Sequence, residues 1–436
     1  MAIKVGMVSL GCPKNQVDAE LMLSLLKRGG FELTPDAAMA DAVIVNTCGF
    51  IESAKQESID NILEFCTLKE EGKIKKVIIT GCLAERYKQE VATEIPEADI
   101  ILGIGSNSDI VEVLTKAFEG EQAQTQRYGD KKNLPLCGER IISTLPFYAY
   151  LKISEGCDNC CSYCAIPSIR GEYRERELDD ILSEAKWLAD NGVLEVILVA
   201  QDTTMYSKLP QLLNSLCEIE QLKWIRLLYC YPERITDELL DTIAAQPKIC
   251  KYLDLPIQHV NEDILRQMNR FGSEESLRVL IENIRERVPG ITLRTTFIAG
   301  FPSETQEHFA QLDQFVSDMR IDHVGCFAYS QEEGTVAGQM ENQLDEKTKQ
   351  ERANHIMESQ MPIMEQLNEQ KIGQTVIVVV EGFDRYAQCY FGRTEADAPE
   401  IDGKVFFTSA DKRKIGEFIE VKITEIIDYD LIGEVI

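Results

Sequence analysis

Runs of Val and Ile alternate with segments of helical hydrophobic spacing from the start of the chain. Ile3–Leu10, Ala42–Thr47 and Lys76–Thr80 read as short buried strands. Asn15–Arg28, stopped at Gly29-Gly30, and Ser53–Leu68 carry apolar positions at helical spacing. This alternation predicts a parallel, doubly wound sheet over residues 1–120. The polar stretch Glu119–Asn133 has turn composition, and residues 121–140 read as a linker.

A second alternating series follows. Its candidate strands are Phe147–Ile153, Leu194–Ala200, Trp224–Leu228, Tyr252–Leu255, Thr292–Ile298 and His323–Tyr329, with helix-like segments such as Leu178–Asp190 and Ser273–Val288 between them. Six βα units in succession predict an incomplete, partly open barrel whose active site faces the carboxyl ends of the strands. A charged helix from Asp345 to about Gln370 ends this region, residues 141–370. Over residues 371–436, Thr375–Val380, Gln388–Gly392, Gly403–Thr408 and Glu417–Ile426 read as short strands of a small all-β barrel of the oligonucleotide-binding type. The expected fold class is therefore α/β, with an all-β module at the end.

Composition narrows the function. With 44% hydrophobic and 27% charged residues among 436, wholesale disorder is excluded. No run of 18 apolar residues occurs, so no membrane partner is expected. The net charge of −28 disfavours direct nucleic-acid binding, which needs Lys and Arg to displace counterions, and suits a basic partner. The chain reads as cytoplasmic; in that reducing compartment its 14 cysteines point to metal or catalysis rather than disulfides.

Four of those cysteines, Cys157, Cys160, Cys161 and Cys164, fall within Glu155–Arg176, just after the first barrel strand. Taken together they form two adjoining C-x2-C pairs, without the separation of a zinc ribbon. Cys157, Cys161 and Cys164 alone form C-x3-C-x2-C, and thiolates so spaced can converge on a soft metal centre. In the first domain Cys12, Cys48 and Cys82 each follow a strand, with Gly11, Gly49 and Gly81 beside them. Ligands of open α/β sheets bind at that edge. A second cluster and three small packing residues both remain open on this pattern.

The C-x3-C-x2-C spacing resembles the radical S-adenosylmethionine superfamily, and Tyr163 before the last cysteine matches its aromatic position. With Cys12, Cys48 and Cys82 and the terminal module, called TRAM, the whole chain resembles the methylthiotransferase family. Its tRNA-modifying members usually carry a GCQMN-like first motif, where Gly11–Asn15 is GCPKN. Tyr231–Ile235 (YPERI), Pro256–Val260 (PIQHV), Met268–Arg270 (MNR) and Tyr329–Thr335 (YSQEEGT) resemble the branch that modifies an aspartate of a ribosomal protein.

This resemblance implies two 4Fe–4S clusters, one on Cys157, Cys161 and Cys164 and one on Cys12, Cys48 and Cys82. It implies S-adenosylmethionine as radical source and methyl donor, sulfide or persulfide as sulfur source, and an external one-electron reductant. Tyr163 would lie beside the adenine, and Arg294, Thr296 and Gln201 are the further candidates for cofactor binding. The implied substrate is the β-carbon of an aspartate in the small-subunit ribosomal protein near the decoding centre; the alternative is a tRNA adenosine. The terminal module is acidic, at net −5 over Lys371–Ile436, which suits a basic protein better than RNA. His259 is open between an active-site and a core role, and Arg170, Arg174 and Arg176 between steadying carboxylates and facing solvent. Cys66, Cys137, Cys217, Cys230, Cys250, Cys326 and Cys389 lack ligand spacing and read as packing residues.

Overall fold

The computed structural model describes residues 2–120 and 124–436. The first domain is a six-stranded parallel sheet in the order Glu32–Leu33, Lys4–Ser9, Ala42–Thr47, Lys76–Gly81, Ile100–Leu102, Thr125–Arg127. Alternate residues of one strand serve two cores. Val43 and Val45 pack with Ile62 and Phe65 of helix Glu52–Glu70, while Ala42 and Ile44 pack with Met22, Leu26 and Val113 of helices Pro13–Arg28 and Ile110–Glu119. Helices on both faces make the sheet doubly wound. Its strand order reverses between Lys4–Ser9 and Ala42–Thr47, and sheets of this kind bind ligands at that reversal.

Part of the stretch read as a linker belongs to this sheet. Thr125–Arg127 pairs in parallel with Ile100–Leu102, and its Thr-Gln-Arg composition suits a polar edge strand. Residues 121–123 of that stretch lie outside the described residues.

The central region holds six parallel strands in sequence order, from Tyr148–Lys152 through Glu195–Val199, Trp224–Leu227, Ile249–Asp254 and Thr292–Ala299 to His323–Ala328. The first and last do not pair with each other, so the barrel is partly open. Its outer core joins the strands to the surrounding helices through Leu198, Leu212, Ile243, Ile281 and Phe315. Helix Glu346–Glu369 packs along the last strand and leads to the terminal module.

That module is a closed five-stranded barrel of Thr375–Asp384, Cys389–Arg393, Val405–Thr408, Phe418–Ile427 and Asp430–Val435. Its fifth strand went unread in the sequence because only Asp428 and Tyr429 separate it from the fourth. Asp428 makes that turn with φ 49. The module packs against the barrel interior: Tyr148, Ile197, Trp224 and Tyr252 share one cluster with Val379 and Ala398, and with Val17 and Leu21 of the first domain. At its centre the fully buried Glu195 binds Arg226 of the barrel and Arg393 of the module.

Candidate active site

The carboxyl ends of the first three long strands of the N-terminal sheet release Cys12, Cys48 and Cys82 toward the barrel. The approach of these loops depends on glycine. A β-carbon on Gly11 would stand 2.8 Å from that of Cys48, and one on Gly49 would stand 2.7 Å from the Leu83 nitrogen. Gly81, at φ 93, has the Thr47 carbonyl oxygen 2.5 Å from its missing β-carbon.

Across from these loops the barrel presents Cys157, Cys161 and Cys164. All six cysteines line one cavity of about 300 Å³, and all are free thiols. Burial pushes the Cys82 and Cys164 thiols up to about 12 and the Cys157 thiol up to about 11, and raises Cys48 as well. A soft cationic centre would offset that cost by binding the thiolates. Among the described residues no three His, Cys, Asp or Glu side chains form a group that could hold a single metal ion. The donor set lining the cavity is all-thiol, three cysteines from each domain, and thiolates are the ligands that hold iron–sulfur clusters.

A buried ionic network sits under the cavity. Arg170 and Lys152 share Asp18 and Glu155, with Arg170 Nη1 2.5 Å from Asp18 and Lys152 Nζ 3.0 Å from Glu155. Burial alone would raise the Glu155 carboxyl, but Lys152 and Arg170 hold it below its ordinary range. Arg170 Nη2 also donates to Asn15 Oδ1 at 3.1 Å and to Cys82 Sγ at 3.3 Å. This network crosses the seam between the domains. A second cross-seam contact places Arg86, on the short helix begun by Cys82, 2.7 Å from Glu332 of the barrel; Lys55 lies 3.1 Å from the same oxygen.

Two of the stretches that carry the family resemblance, Tyr231–Ile235 and Met268–Arg270, meet at the cysteine loop. The Tyr231 hydroxyl is 2.7 Å from Cys161 Sγ, and the Arg270 guanidinium stacks 3.7 Å from the Tyr231 ring centre. Ser162 N–H donates to the Met268 carbonyl, and Ala337 N–H to the Ser162 carbonyl.

Tyr163 lines the cysteine cavity and also an adjoining one of about 570 Å³, to which Thr296 contributes. Gln201 lines the cysteine cavity with its amide committed to Glu155. Arg294 is not brought to either space. It pairs with Asp254 and with Asp402 of the terminal module, each at 3.3 Å, because it lies near the amino end of its strand, away from the cysteines. His259 is buried with Nε2 3.4 Å from Glu304, a packing arrangement outside both cavities. Asp202 accepts from Asn159 at 2.9 Å and Arg234 at 2.8 Å. Arg176 pairs with Glu184, and Arg174 donates to the carbonyls of Lys131 and Lys132.

Tyr229, Gln258 and Lys14 are among the cavity residues that the sequence does not single out. Tyr229 and Gln258 hold left-handed backbones at φ 62 and 72, and both line both cavities. Such strain in non-glycine residues gathers at functional sites. Both follow the carboxyl ends of barrel strands, the signal that had singled out Gln201. The third is Lys14, inside the GCPKN motif.

Three family models match the chain: uncharacterized protein family UPF0004 over residues 4–103, the radical SAM superfamily over 151–316 and the TRAM domain over 372–436. The chain is 50% identical to the ribosomal protein uS12 methylthiotransferase RimO of Desulforamulus reducens, covering 99% of each. It is 47% identical to that of Acetivibrio thermocellus, over 100% of this chain and 99% of the relative, and 46% identical to that of Clostridioides difficile, over 100% and 99%. Among solved structures, the radical S-adenosylmethionine methyltransferase TsrM from Kitasatospora setae, with cobalamin and a [4Fe-4S] cluster bound, shares the fold. Its TM-score is 0.57 at 15% identity, over 75% of each chain. Among the described residues no helix is long and apolar enough to cross a membrane.

Proposed function

We propose, for a chain that belongs to the ribosomal protein uS12 methylthiotransferase (RimO) family, that it adds a methylthio group to the β-carbon of an aspartate in uS12. The observation that carries this reading is the single cavity lined by two sets of three thiols, one from each facing domain. Cys157, Cys161 and Cys164 would hold one 4Fe–4S cluster, and Cys12, Cys48 and Cys82 the other. When bound, these clusters would supply the electron for reductive cleavage of S-adenosylmethionine, itself the methyl donor, and a site to hold the sulfur to be transferred.

The chain's own residues bind and orient. Tyr163 and Thr296 offer an aromatic face and a hydroxyl in the adjoining cavity, where S-adenosylmethionine has room. Gln201 acts through Glu155, whose carboxylate orders Lys152 and Arg170 beneath the cysteines. Arg86 and Glu332 hold the two cysteine-bearing domains in register. Phe50, Tyr163 and Tyr229 surround the space between them and limit water there. An external reductant supplies electrons, and sulfide or persulfide the sulfur. The acidic surface favours approach of a Lys- and Arg-rich protein.

The test uses anaerobically reconstituted protein, methyl-labelled S-adenosylmethionine, sulfide and reductant. Small ribosomal subunits and total tRNA are offered together, then separated and analysed by mass. The reading expects label and a methylthio increment on one aspartate of uS12. Label in tRNA alone would overturn the substrate while leaving the cysteine assignments standing.

A further inference from the structure

Cysteines and tyrosines apart, the ionisable side chains that line the cysteine cavity are all basic, inside a strongly acidic protein. Lys14, Arg170 and Arg270 line it, and no Asp or Glu does. Two of these cations are already engaged. Arg170 is neutralised by Asp18 and Glu155. Arg270 lies on the Tyr231 ring, with Glu233 at 3.4 Å and the Pro256 carbonyl at 3.0 Å.

Lys14 is different. It is 7% exposed, and its ammonium sits 3.2 Å from the centre of the Tyr229 ring. Among the described residues it has no carboxylate at ion-pair distance and donates no hydrogen bond. A buried ammonium with three idle N–H donors is costly unless an anion completes it. The aromatic face compensates for only part of that cost. The Tyr229 backbone is held left-handed at φ 62, and its ring borders both the cysteine cavity and the adjoining one. The ammonium therefore stands where a group entering between the two would meet it.

We propose that Lys14 is the carboxylate-binding residue for the target side chain: its ammonium, seated on Tyr229, pairs with the aspartate carboxylate and so places the adjacent β-carbon. The proposal rests on the aspartyl substrate proposed above and deepens it to a specificity determinant. A purine has no carboxylate to offer this site, so Lys14 would select a protein side chain over a nucleoside by charge.

The test compares two uS12 peptides, one centred on the aspartate found modified and one carrying asparagine there, binding to the cluster-loaded protein in fluorescence anisotropy. Wild-type protein should prefer the aspartyl peptide by about tenfold or more, as a charge-assisted pair in a buried site implies. Lys14→Met should erase the preference while iron content and cluster spectra stay those of wild type, and Lys14→Arg should retain part of it. An undiminished preference in Lys14→Met, or none in wild type, overturns the assignment. Iron loss in both Lys14→Met and Lys14→Gln would make the ammonium a partner of the cluster thiolates and overturn it as well. Wild-type protein that binds the aspartyl peptide yet shows no preference defeats this proposal alone. Failure to label uS12 at all defeats the substrate reading beneath it.

Discussion

The guanidinium of Arg170 stands 3.3 Å from the sulfur of Cys82, so the loop carrying the barrel cysteines reaches across the domain seam to the third cysteine of the N-terminal sheet. Arg170 is held there by Asp18 and Asn15 of the first domain and by Glu155 of the barrel. One side chain thus fixes the relative position of the two thiol sets and directs a positive hydrogen bond at one of them.

Hydrogen bonds to ligand sulfurs help set the potential of an iron–sulfur cluster. Arg170→Lys, which keeps the charge but loses the forked donors, is expected to lower the midpoint of the cluster on Cys12, Cys48 and Cys82 and leave the other cluster unchanged. Potentiometric titration followed by electron paramagnetic resonance reads both. Arg170→Met leaves Asp18 and Glu155 short of a cation and should also cost about 3–5 kcal/mol of stability.

The two thiol sets should be separable by iron content. Wild-type protein is expected to hold about eight irons per chain, and replacing Cys12, Cys48 or Cys82 by Ala about four. Those variants should still cleave S-adenosylmethionine while losing sulfur insertion. Replacing Cys157, Cys161 and Cys164 together should also leave about four irons but abolish cleavage. Persistent deoxyadenosine formation in that triple variant would remove the barrel cysteines from the reaction.

Much of this arrangement was legible in the sequence because its signals are local. Val and Ile runs marked Ala42–Thr47 to the residue, and helical spacing marked Leu178–Asp190 to the residue. Cys157, Cys161 and Cys164 are marked by their spacing, whereas Cys12, Cys48 and Cys82 follow from a rule about strand ends rather than from proximity in sequence. What stayed hidden depends on pairing across the molecule. Thr125–Arg127 is polar because it is an edge, and Ile100–Leu102 is too short to declare itself. Arg294 is a candidate for cofactor binding on the sequence, yet strand direction carries it to Asp402 at the opposite end. No periodicity in the sequence could reveal that Lys14 would meet the Tyr229 ring, or that Arg170 would serve both domains.

Glycine beside the N-terminal cysteines makes a prediction that removes no ligand. Gly81→Ala would place a methyl group 2.5 Å from the Thr47 carbonyl oxygen at φ 93, where an alanine is also strained. The strain alone should cost about 1–3 kcal/mol, and relief requires the Cys82 loop to move away from Cys48. The variant is expected to fold, keep the barrel cluster and lose iron from the other set. Full iron retention would show that the loop spacing is not critical for loading.

Acid should release the terminal module before it unfolds the barrel. Burial alone would raise the Glu195 carboxyl, but Arg393 and Arg226 more than offset it and hold the group below its ordinary value. In the unfolded chain the same carboxyl returns to about 4.3. Its contribution is therefore complete above that pH and fades as pH falls toward the depressed folded value. Glu195→Gln leaves Arg226 with no carboxylate partner and Arg393 with Glu381 alone, and should cost about 3–5 kcal/mol near neutrality. The gap in melting temperature between wild type and Glu195→Gln should stay constant above about pH 6 and narrow below about pH 4. Proteolysis within residues 371–436 should rise over the same acid range in wild type and already be present at neutral pH in the variant. A gap that persists unchanged to the acid limit of the fold would mean that the carboxylate charge does not anchor the module.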